Sequence, residues 1–485
     1  MTEELLGARR SWSRRQVLTV VAAAAGAAPL VATGAAKLSA ESPVKFRSDP
    51  FEIRDLPQGQ RPYYSGVRLP LVDTGTHDEH GVRMALLTGK LYDHPVAQAQ
   101  YGINLLESHR VTGDQVYLKR AMAQAQRLID RRVVRRDAWF YPYRFRHAMH
   151  RGTDVYETPW YSMMAQGQAM SLFVRLAQIV GERTHWRQAA DSTFASYLLP
   201  PVGGLPWGVY VKDGLLWLEE YAHPTRVRGD QTYNGHVFSA FGLWDYWSLS
   251  RDARARQMLQ GAITTARDAH HLVRTRQWRS RYCLTHRKDA GMYHSTHIIQ
   301  HAVLHAITGD PTFAGIMDLF YSDHPTYGVS GTIRLAPGDH VGYKFDASGT
   351  VLDRKRISLT RPTEAASTER HKVMRQTGIW YDISEGSLSG YLVQEIPGRS
   401  YQIGRAAPIG YRIPRSAVVV AAPGRAYSLD DAGKVTAVTA GLAVGDTVTV
   451  DLRAAIDGVQ HYRLAAGPHE GQWVRLGTLR SVGTA

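Results

Sequence analysis

Three segments of the chain combine ionisable side chains with aromatic rings in predicted loops. They are Trp160 to Ala169, Trp217 to Tyr221 followed by Asn234 to His236, and Tyr282 with Tyr293 to His297. A carboxylate can act as a base when burial raises its pKa, and a tyrosine, with an ordinary pKa near ~10, can act as an acid. Because Glu219 and Glu220 are neighbours, an extended backbone directs them to opposite faces. We therefore expect one of them to enter a cleft and the other to be a surface charge.

Other polar residues of these segments allow more than one interpretation. Gln166 and Gln168 are of a type that often caps or braces helix ends, and they can also bind a ligand. His294 and His297 are three residues apart, as His147 and His150 are, which is a spacing that can ligate zinc from one helical face. No carboxylate or cysteine at a fixed spacing accompanies them, so we expect no metal. His297 is better suited to orient Tyr293 or a substrate by a hydrogen bond.

The formal net charge of +15 predicts an anionic partner. Arginines are concentrated in two stretches, 131–151 and 274–281, where they alternate with tryptophan, tyrosine and phenylalanine. Aromatic faces stack on sugar rings and guanidinium groups pair with carboxylates, so the mixture favours an acidic polysaccharide. Nucleic acid is not expected, because the protein is predicted to act outside the cell. The alternative is a basic surface that only aids solubility.

The first forty residues predict an export signal. Arg14 and Arg15 stand directly before an apolar run from Val17 to Val31, and small residues follow up to Ala40. This pattern is typical of the twin-arginine pathway, which carries folded cargo. Cys283, the single cysteine, cannot form an internal disulfide, in agreement with folding in a reducing compartment. We expect an extracellular or wall-associated protein without stable membrane insertion after cleavage; an uncleaved anchor is the alternative.

Periodicity predicts a multidomain α+β protein that changes class near Tyr327. Before it, four helix pairs are expected: from Val96 to Asp130, Met163 to Leu198, Asn234 to His271 and Thr296 to Phe320. Their regular repetition predicts an (α/α) toroid with long loops at one mouth. The expected domains are the signal (1–40), an N-terminal extension that is partly β (41–94), the catalytic toroid (95–325) and two β modules (326–410 and 411–485).

The two β modules show a weak internal repeat. The stretch 345–351 resembles 429–435, and Trp380 to Val393 resembles His461 to Val474. Both stretches alternate polar and apolar residues between glycine turns, which is typical of antiparallel strands. We expect an accessory role for these modules, either glycan or wall binding or bracing of the toroid.

From about Pro95 to Phe320 the chain resembles the C-terminal catalytic region of the D-glucuronyl 5-epimerases, which convert glucuronate into iduronate within heparan-type chains. The Met-Ala-Gln-Gly-Gln-Ala, Glu-Glu-Tyr and Tyr-His-x-Thr-His runs carry the resemblance. It implies a metal-free toroid, a homodimer, and a catalytic pair formed by Glu220 and Tyr221. It also implies active-site roles for Tyr282 and Tyr293.

The chain departs from this family in three respects: the spacing from Tyr282 to Tyr293 is shorter than in the animal enzymes, residues 41–92 contain little counterpart of the family's N-terminal β-sandwich, and one motif differs. The family's Tyr-Asp-Leu-Arg-His reads Tyr282-Cys283-Leu284-Thr285-His286 here. The arginine that contacts substrate in the family is therefore absent here unless Arg281 or Arg287 replaces it. We expect no cofactor and expect the following substrate-binding residues: Tyr161, Gln166, Gln168, Asn234, Arg281, His294 and His297.

The expected activity is epimerisation at carbon 5 of a glucuronate-containing polysaccharide. A base removes the proton next to the carboxylate and an acid returns one on the opposite face, while preorganised donors stabilise the charge. A uronate lyase begins with the same proton abstraction and remains the main alternative. An (α/α)-barrel hydrolase needs two opposed carboxylates, for which Asp154, Glu157 and Asp230 are further candidates. A non-catalytic glycan-binding protein is the last alternative.

Overall fold

The computed structural model describes residues 44–152, 154–181, 184–325, 331–422, 424–431 and 433–481. The predicted export signal at 1–40 lies outside these ranges. Within them, no helix combines the length and the apolar character that crossing a membrane requires.

Within the described residues, eight α-helices form four consecutive hairpins, as the sequence predicts. They are α1 (Pro95–Thr112) with α2 (Gln115–Arg131), α3 (Met163–Val180) with α4 (His185–Ala195), α5 (Tyr233–Ser250) with α6 (Ala253–Val273), and α7 (Tyr293–Thr308) with α8 (Pro311–Asp323). The Thr-Gly-Asp turns define two of them. Gly113 and Gly309 adopt positive φ angles of 72° and 68° at the helix ends, and the carboxylates of Asp114 and Asp310 cap the next helices.

The first helix of each hairpin belongs to a central row. Helix α3 packs against both α1 and α5, and α5 also contacts α7, while the second helix of each pair lies mainly against its own partner. Small residues permit the closest approach, since Gly242 of α5 lies against the Gly167 backbone of α3. This is an (α/α) arrangement of hairpins, and a closed toroid stays a prediction.

The connections between the hairpins contain short antiparallel strand pairs. Strands β1 (Met84–Leu87) and β2 (Lys90–Asp93) precede the helices. The later pairs are β3 (Val133–Arg135) with β4 (Ala138–Phe140), β5 (His147–Met149) with β6 (Asp154–Tyr156), and β7 (Val209–Lys212) with β8 (Leu215–Leu218). The N-terminal extension contributes Phe51, Ile53 and Leu56 to the main core.

In the described part of the chain after the helices, the strands form two seven-stranded antiparallel sheets. The first contains β9 (Gly331–Leu335), β10 (Gly338–Phe345), β11 (Val351–Leu359), β12 (Thr363–His371), β13 (Trp380–Ile383), β14 (Leu392–Gln394) and β15 (Ser400–Gln402). The second contains β16 (Ile409–Val419), β17 (Gly424–Leu429), β18 (Val435–Leu442), β19 (Thr447–Ile456), β20 (Val459–Leu464), β21 (Trp473–Arg475) and β22 (Leu479–Ser481).

The sheets share one topology, which gives the weak sequence repeat a structural counterpart. Their strand orders are β11-β10-β14-β13-β12-β9-β15 and β18-β17-β21-β20-β19-β16-β22, so each strand of the second corresponds to the strand seven places earlier. The repeated turns also match: Asp346 accepts a hydrogen bond from the Thr350 amide, and Asp430 accepts one from the Lys434 amide.

The second sheet packs against the last helical hairpin. Asp318 of α8 pairs with the guanidinium groups of Arg415 and Arg453, each at 2.8 Å, and accepts a hydrogen bond from Tyr462 at 3.0 Å. Both arginines are buried. Because buried charges require such partners, this cluster joins the sheet to the helices.

Candidate active site

Glu220 lies directly after the β7–β8 hairpin, against the first turn of α5. Its backbone neighbours are fixed: the Glu219 amide donates to the Gly208 carbonyl, and the Met163 amide donates to the Glu219 carbonyl, both at 2.8 Å. Glu220 is buried. A Cβ atom on Gly235 would lie 2.2 Å from Glu220 Oε2, so a glycine is required there to leave space for the carboxylate.

Three tyrosines surround this carboxylate. The Tyr282 hydroxyl donates to Glu220 Oε1 at 3.4 Å and lies 3.2 Å from the Tyr221 hydroxyl. The Tyr293 ring is 5.3 Å from the Tyr282 ring, measured between centroids. Glu220 is buried whereas the tyrosines are half-buried, so the cluster opens on the tyrosine side. All four residues predicted to be catalytic thus lie together.

The environment of this cluster favours proton transfer. Burial raises the pKa of Glu220 from 4.5 to about 8, against the opposing effect of hydrogen bonds from Tyr221 and Tyr282. Burial also raises the pKa of Tyr293, and the nearby Glu220 charge adds to the shift. A carboxylate whose pKa lies near neutrality suits a general base, and a phenol that stays protonated suits a general acid.

Glu219 is fully buried, so the expectation that one member of the pair is a surface charge is wrong. Its Oε2 accepts a hydrogen bond of 2.9 Å from the Gln231 amide. The carboxyl group occupies space left by Gly229, where a Cβ would lie 2.0 Å from it. Both faces of this extended segment are covered, and burial raises the pKa of Glu219 to about 8.

An aromatic shelf lies next to Tyr221; the sequence singles out Trp160 but does not place His147 or Tyr143 in the site. Its members are His147 and Trp160, whose rings stack on Tyr221 with centroid distances of 5.6 and 5.8 Å. Tyr143 lies behind Trp160 at 3.9 Å with nearly parallel rings. Trp160 and Tyr143 are buried, so the half-buried rings of His147 and Tyr221 are the members of the shelf that a sugar ring can contact. The aromatic content of 139–160 was the sequence signal for it.

Two of the predicted substrate-binding residues are engaged within the fold. The Gln166 side chain donates to the Trp139 carbonyl and to Ser196 Oγ and accepts from the Tyr141 amide, so it braces the start of α3. Tyr161 packs edge-to-face on Phe140. Gln168 is also buried, with its side chain close to Tyr63.

The remaining predicted binding residues lie at different places. Asn234 is buried next to Gly235, and its side-chain amide has no hydrogen-bond partner within the described part of the chain. His294 and His297 are buried and each contacts Ser280 Oγ through Nδ1, at 3.0 and 2.7 Å, behind the tyrosine cluster. Arg281 donates to the Leu272 carbonyl at 2.9 Å.

Several arginines of the two basic stretches pair inside the protein. Arg135 donates to the carbonyls of Pro200 and Pro206, and Arg274 binds Asp323 at 2.6 Å. Arg132 lies over the Trp139 ring at 4.1 Å. Arg146 pairs with Glu157 at 3.1 Å with both side chains exposed. The basic composition therefore has a partly structural cause, and Arg146 remains accessible to an anion.

Comparisons with solved structures give distant likenesses. A GH76 alpha-mannanase of Bacteroides thetaiotaomicron aligns with 11% identity and a TM-score of 0.35, over 48% of this chain and 57% of the other. A cellobiose 2-epimerase from Bacillus thermoamylovorans aligns with 12% identity and a TM-score of 0.38, over 52% and 66%. The chain thus spans less than two thirds of either structure. No curated protein matches the sequence.

The match of a family model is more specific. It extends over residues 135–322, from β3 to the end of α8, and includes the whole glutamate and tyrosine cluster. It supports an epimerase and confirms the resemblance carried by the three sequence motifs. Residues 135–322 accordingly match the family described as D-glucuronyl C5-epimerase C-terminus.

Proposed function

We propose that the protein is a uronyl 5-epimerase acting on a glucuronate-containing polysaccharide. The observation that carries the proposal is the contact of buried Glu220 with Tyr282, which in turn contacts Tyr221 and Tyr293. This arrangement supplies a base and a second proton donor close to it. The family match over residues 135–322 supports the reaction class.

Glu220 is the base in this proposal. In its ionised form it accepts the proton from carbon 5, so the C5–H bond breaks and its electron pair moves into the neighbouring carboxylate to give an enediolate. The raised pKa increases the basicity of the carboxylate toward this weak carbon acid. Burial keeps water from competing for the same oxygen atoms.

Tyr293 is the acid on the opposite face. Its hydroxyl delivers a proton to carbon 5, which forms the new C5–H bond with inverted configuration and leaves a phenolate. The open tyrosine side of the cluster lets Glu220 release its proton to water and lets the Tyr293 phenolate take a new proton from water, with Tyr282 hydrogen-bonded to the first and packed beside the second. No atom is gained or lost in the cycle, and the same residues catalyse the reverse direction with exchanged roles.

Neutral donors stabilise the enediolate in this proposal. The hydroxyl groups of Tyr221 and Tyr282 are held together at 3.2 Å, and burial raises the pKa of both, so they remain protonated. The first turn of α5 adds the positive end of a helix dipole next to Glu220. His147, whose pKa burial lowers, is a neutral donor on the aromatic shelf.

The hydrolase alternative lacks support from the carboxylates named for it. Asp154 and Asp230 both pair with His286, at 2.9 and 2.5 Å, and Glu157 pairs with exposed Arg146. A glycosidase needs a second free carboxylate across the cleft from the first.

We further propose export by the twin-arginine route, an acidic polysaccharide encountered outside the membrane, and a homodimer.

The test is incubation of the protein with glucuronate polymers, heparosan first, in heavy water, followed by NMR and chain-length analysis. Deuterium at carbon 5 with unchanged chain length supports the epimerase. An unsaturated product identifies a lyase, and new reducing ends without unsaturation identify a hydrolase. Either of the last two outcomes overturns the proposal.

A further inference from the structure

Four potential metal ligands converge beside Tyr282. They are His150 in the turn after β5, Asp230 before α5, and Cys283 and His286 in the loop between α6 and α7. One ligand atom from each lies within 4.8 Å of the other three. Asp230 and Cys283 are buried, and the two histidine side chains are 10% and 12% exposed. The cluster is thus closed to bulk water on most sides.

Three of the four separations between these atoms are close to those found around one small cation. Cys283 Sγ lies 3.3 Å from His150 Nε2 and 3.8 Å from His286 Nδ1, and His150 Nε2 lies 3.6 Å from Asp230 Oδ2. Tetrahedral zinc, with Zn–S near ~2.3 Å and Zn–N near ~2.0 Å, holds neighbouring ligand atoms about 3.3–3.6 Å apart. His286 Nδ1 and Asp230 Oδ1 are closer, at 2.5 Å, the distance of a shared proton that a cation would replace.

The groups around the cluster orient these ligands. Asp154 Oδ2 lies 2.9 Å from His286 Nε2, so the ring directs its other nitrogen toward Cys283 and Asp230. The Thr232 hydroxyl donates to Asp230 Oδ2 at 3.1 Å. A carboxylate on the outer nitrogen of a ligating histidine is the usual support of a zinc site, because it fixes the tautomer and the ring. The hydrogen bonds among the four proposed ligands do not themselves require a carboxylate at the position of Asp154.

We propose that His150, Asp230, Cys283 and His286 bind one divalent thiophilic cation, with zinc as the ion that fits best. Binding forms a metal–sulfur bond, breaks the S–H bond of Cys283 and displaces the proton between His286 Nδ1 and Asp230 Oδ1, and both protons are released to solvent. Four protein ligands complete a tetrahedron, so the ion is structural and holds no substrate. This proposal concerns binding alone and does not depend on the proposed epimerase activity.

The ion would connect three segments that shape the active site. The first carries His147, which stacks on Tyr221. The second leads from Asp230 to Gly235, which lies against Glu220. The third contains Tyr282 next to Cys283, and its backbone is paired with the second through the Tyr233 amide and the Tyr282 carbonyl at 3.0 Å. One cation at their junction fixes all three.

Cobalt titration of the full-length chelator-treated protein tests the site. Because Cys283 is the single cysteine of the chain, a thiolate-to-cobalt charge-transfer band can arise only from this cluster. We expect the band to saturate at one Co²⁺ per chain, with the intense visible bands of a four-coordinate ion. One equivalent of Zn²⁺ should remove the charge-transfer band and the visible bands and should raise the Tm of the apoprotein.

Variants separate this site from surface binding. Cys283→Ser should abolish the charge-transfer band, and Asp230→Asn should lower the affinity for Co²⁺ at least tenfold. His80→Gln, at an exposed histidine, should leave the charge-transfer band and the affinity for Co²⁺ unchanged. The wild-type titration does not depend on whether the variants fold. Absence of the band with excess Co²⁺, or an unchanged stoichiometry and affinity in Cys283→Ser, would overturn the proposal.

Discussion

The raised pKa of Glu220 predicts a specific pH dependence of the reaction. A base must be ionised, and burial moves the pKa of this carboxyl from 4.5 to about 8. Two pH units below that value only about 1% of the groups are ionised, so kcat/KM should fall about tenfold per unit as the pH drops below 8. Tyr293 sets no limit in this range, because its pKa is raised above 10.0.

Deuterium incorporation at carbon 5, measured at low substrate concentration across about pH 5 to 9, gives this profile. Tyr282→Phe supplies a second arm. Its hydroxyl lowers the Glu220 pKa by hydrogen bonding, so its removal should move the midpoint of the residual activity to higher pH. A wild-type profile that is flat from about pH 6 upward would refute the assignment of Glu220 as a base with a raised pKa.

Three further substitutions have defined outcomes. Gly235→Ala should lower kcat about 100-fold, because the new Cβ displaces the Glu220 carboxylate by about 1 Å, while Gly477→Ala, with no described atom near its Cβ, should not. Glu219→Gln should raise the free energy of unfolding above pH 8 by up to about 4–5 kcal/mol, measured by urea unfolding, and should not raise it below pH 4.5. The reason is that the buried native carboxyl resists ionisation, whereas the carboxyl of the unfolded chain ionises freely. Asp318→Asn should cost about 3–5 kcal/mol of unfolding free energy by leaving two buried arginines unpaired, with a lower Tm as the readout.

Local signals predicted the helical hairpins. The turns around Gly113 and Gly309 combine a residue that tolerates positive φ with an aspartate that caps the next helix, and both features act within a few residues. The predicted start of α7 was less accurate. It was expected at Thr296 but begins at Tyr293, so a predicted loop tyrosine is the first residue of a helix.

The sequence pattern could not predict packing between distant segments of the chain. Glu219 was expected at the surface from alternation, which assumes one solvated face; the loop through Gly229 covers that face instead. The cluster of His150, Asp230, Cys283 and His286 joins three distant segments, and only the Cys-x-x-His spacing was local. The common strand order of the two sheets likewise follows from pairing between distant strands, although the repeated turn at Asp346 and Asp430 indicated it.

The most direct test is deuterium exchange at carbon 5 of a glucuronate polymer, compared between the wild-type protein, Glu220→Gln and Tyr293→Phe. We expect the wild type to exchange without shortening the chain, and both variants to lose exchange while keeping the wild-type Tm. Glu79→Gln and Tyr343→Phe, placed outside the cluster, should exchange at the wild-type rate. Full exchange by Glu220→Gln or Tyr293→Phe, or no exchange by the wild type on any glucuronate polymer, would contradict the proposed mechanism.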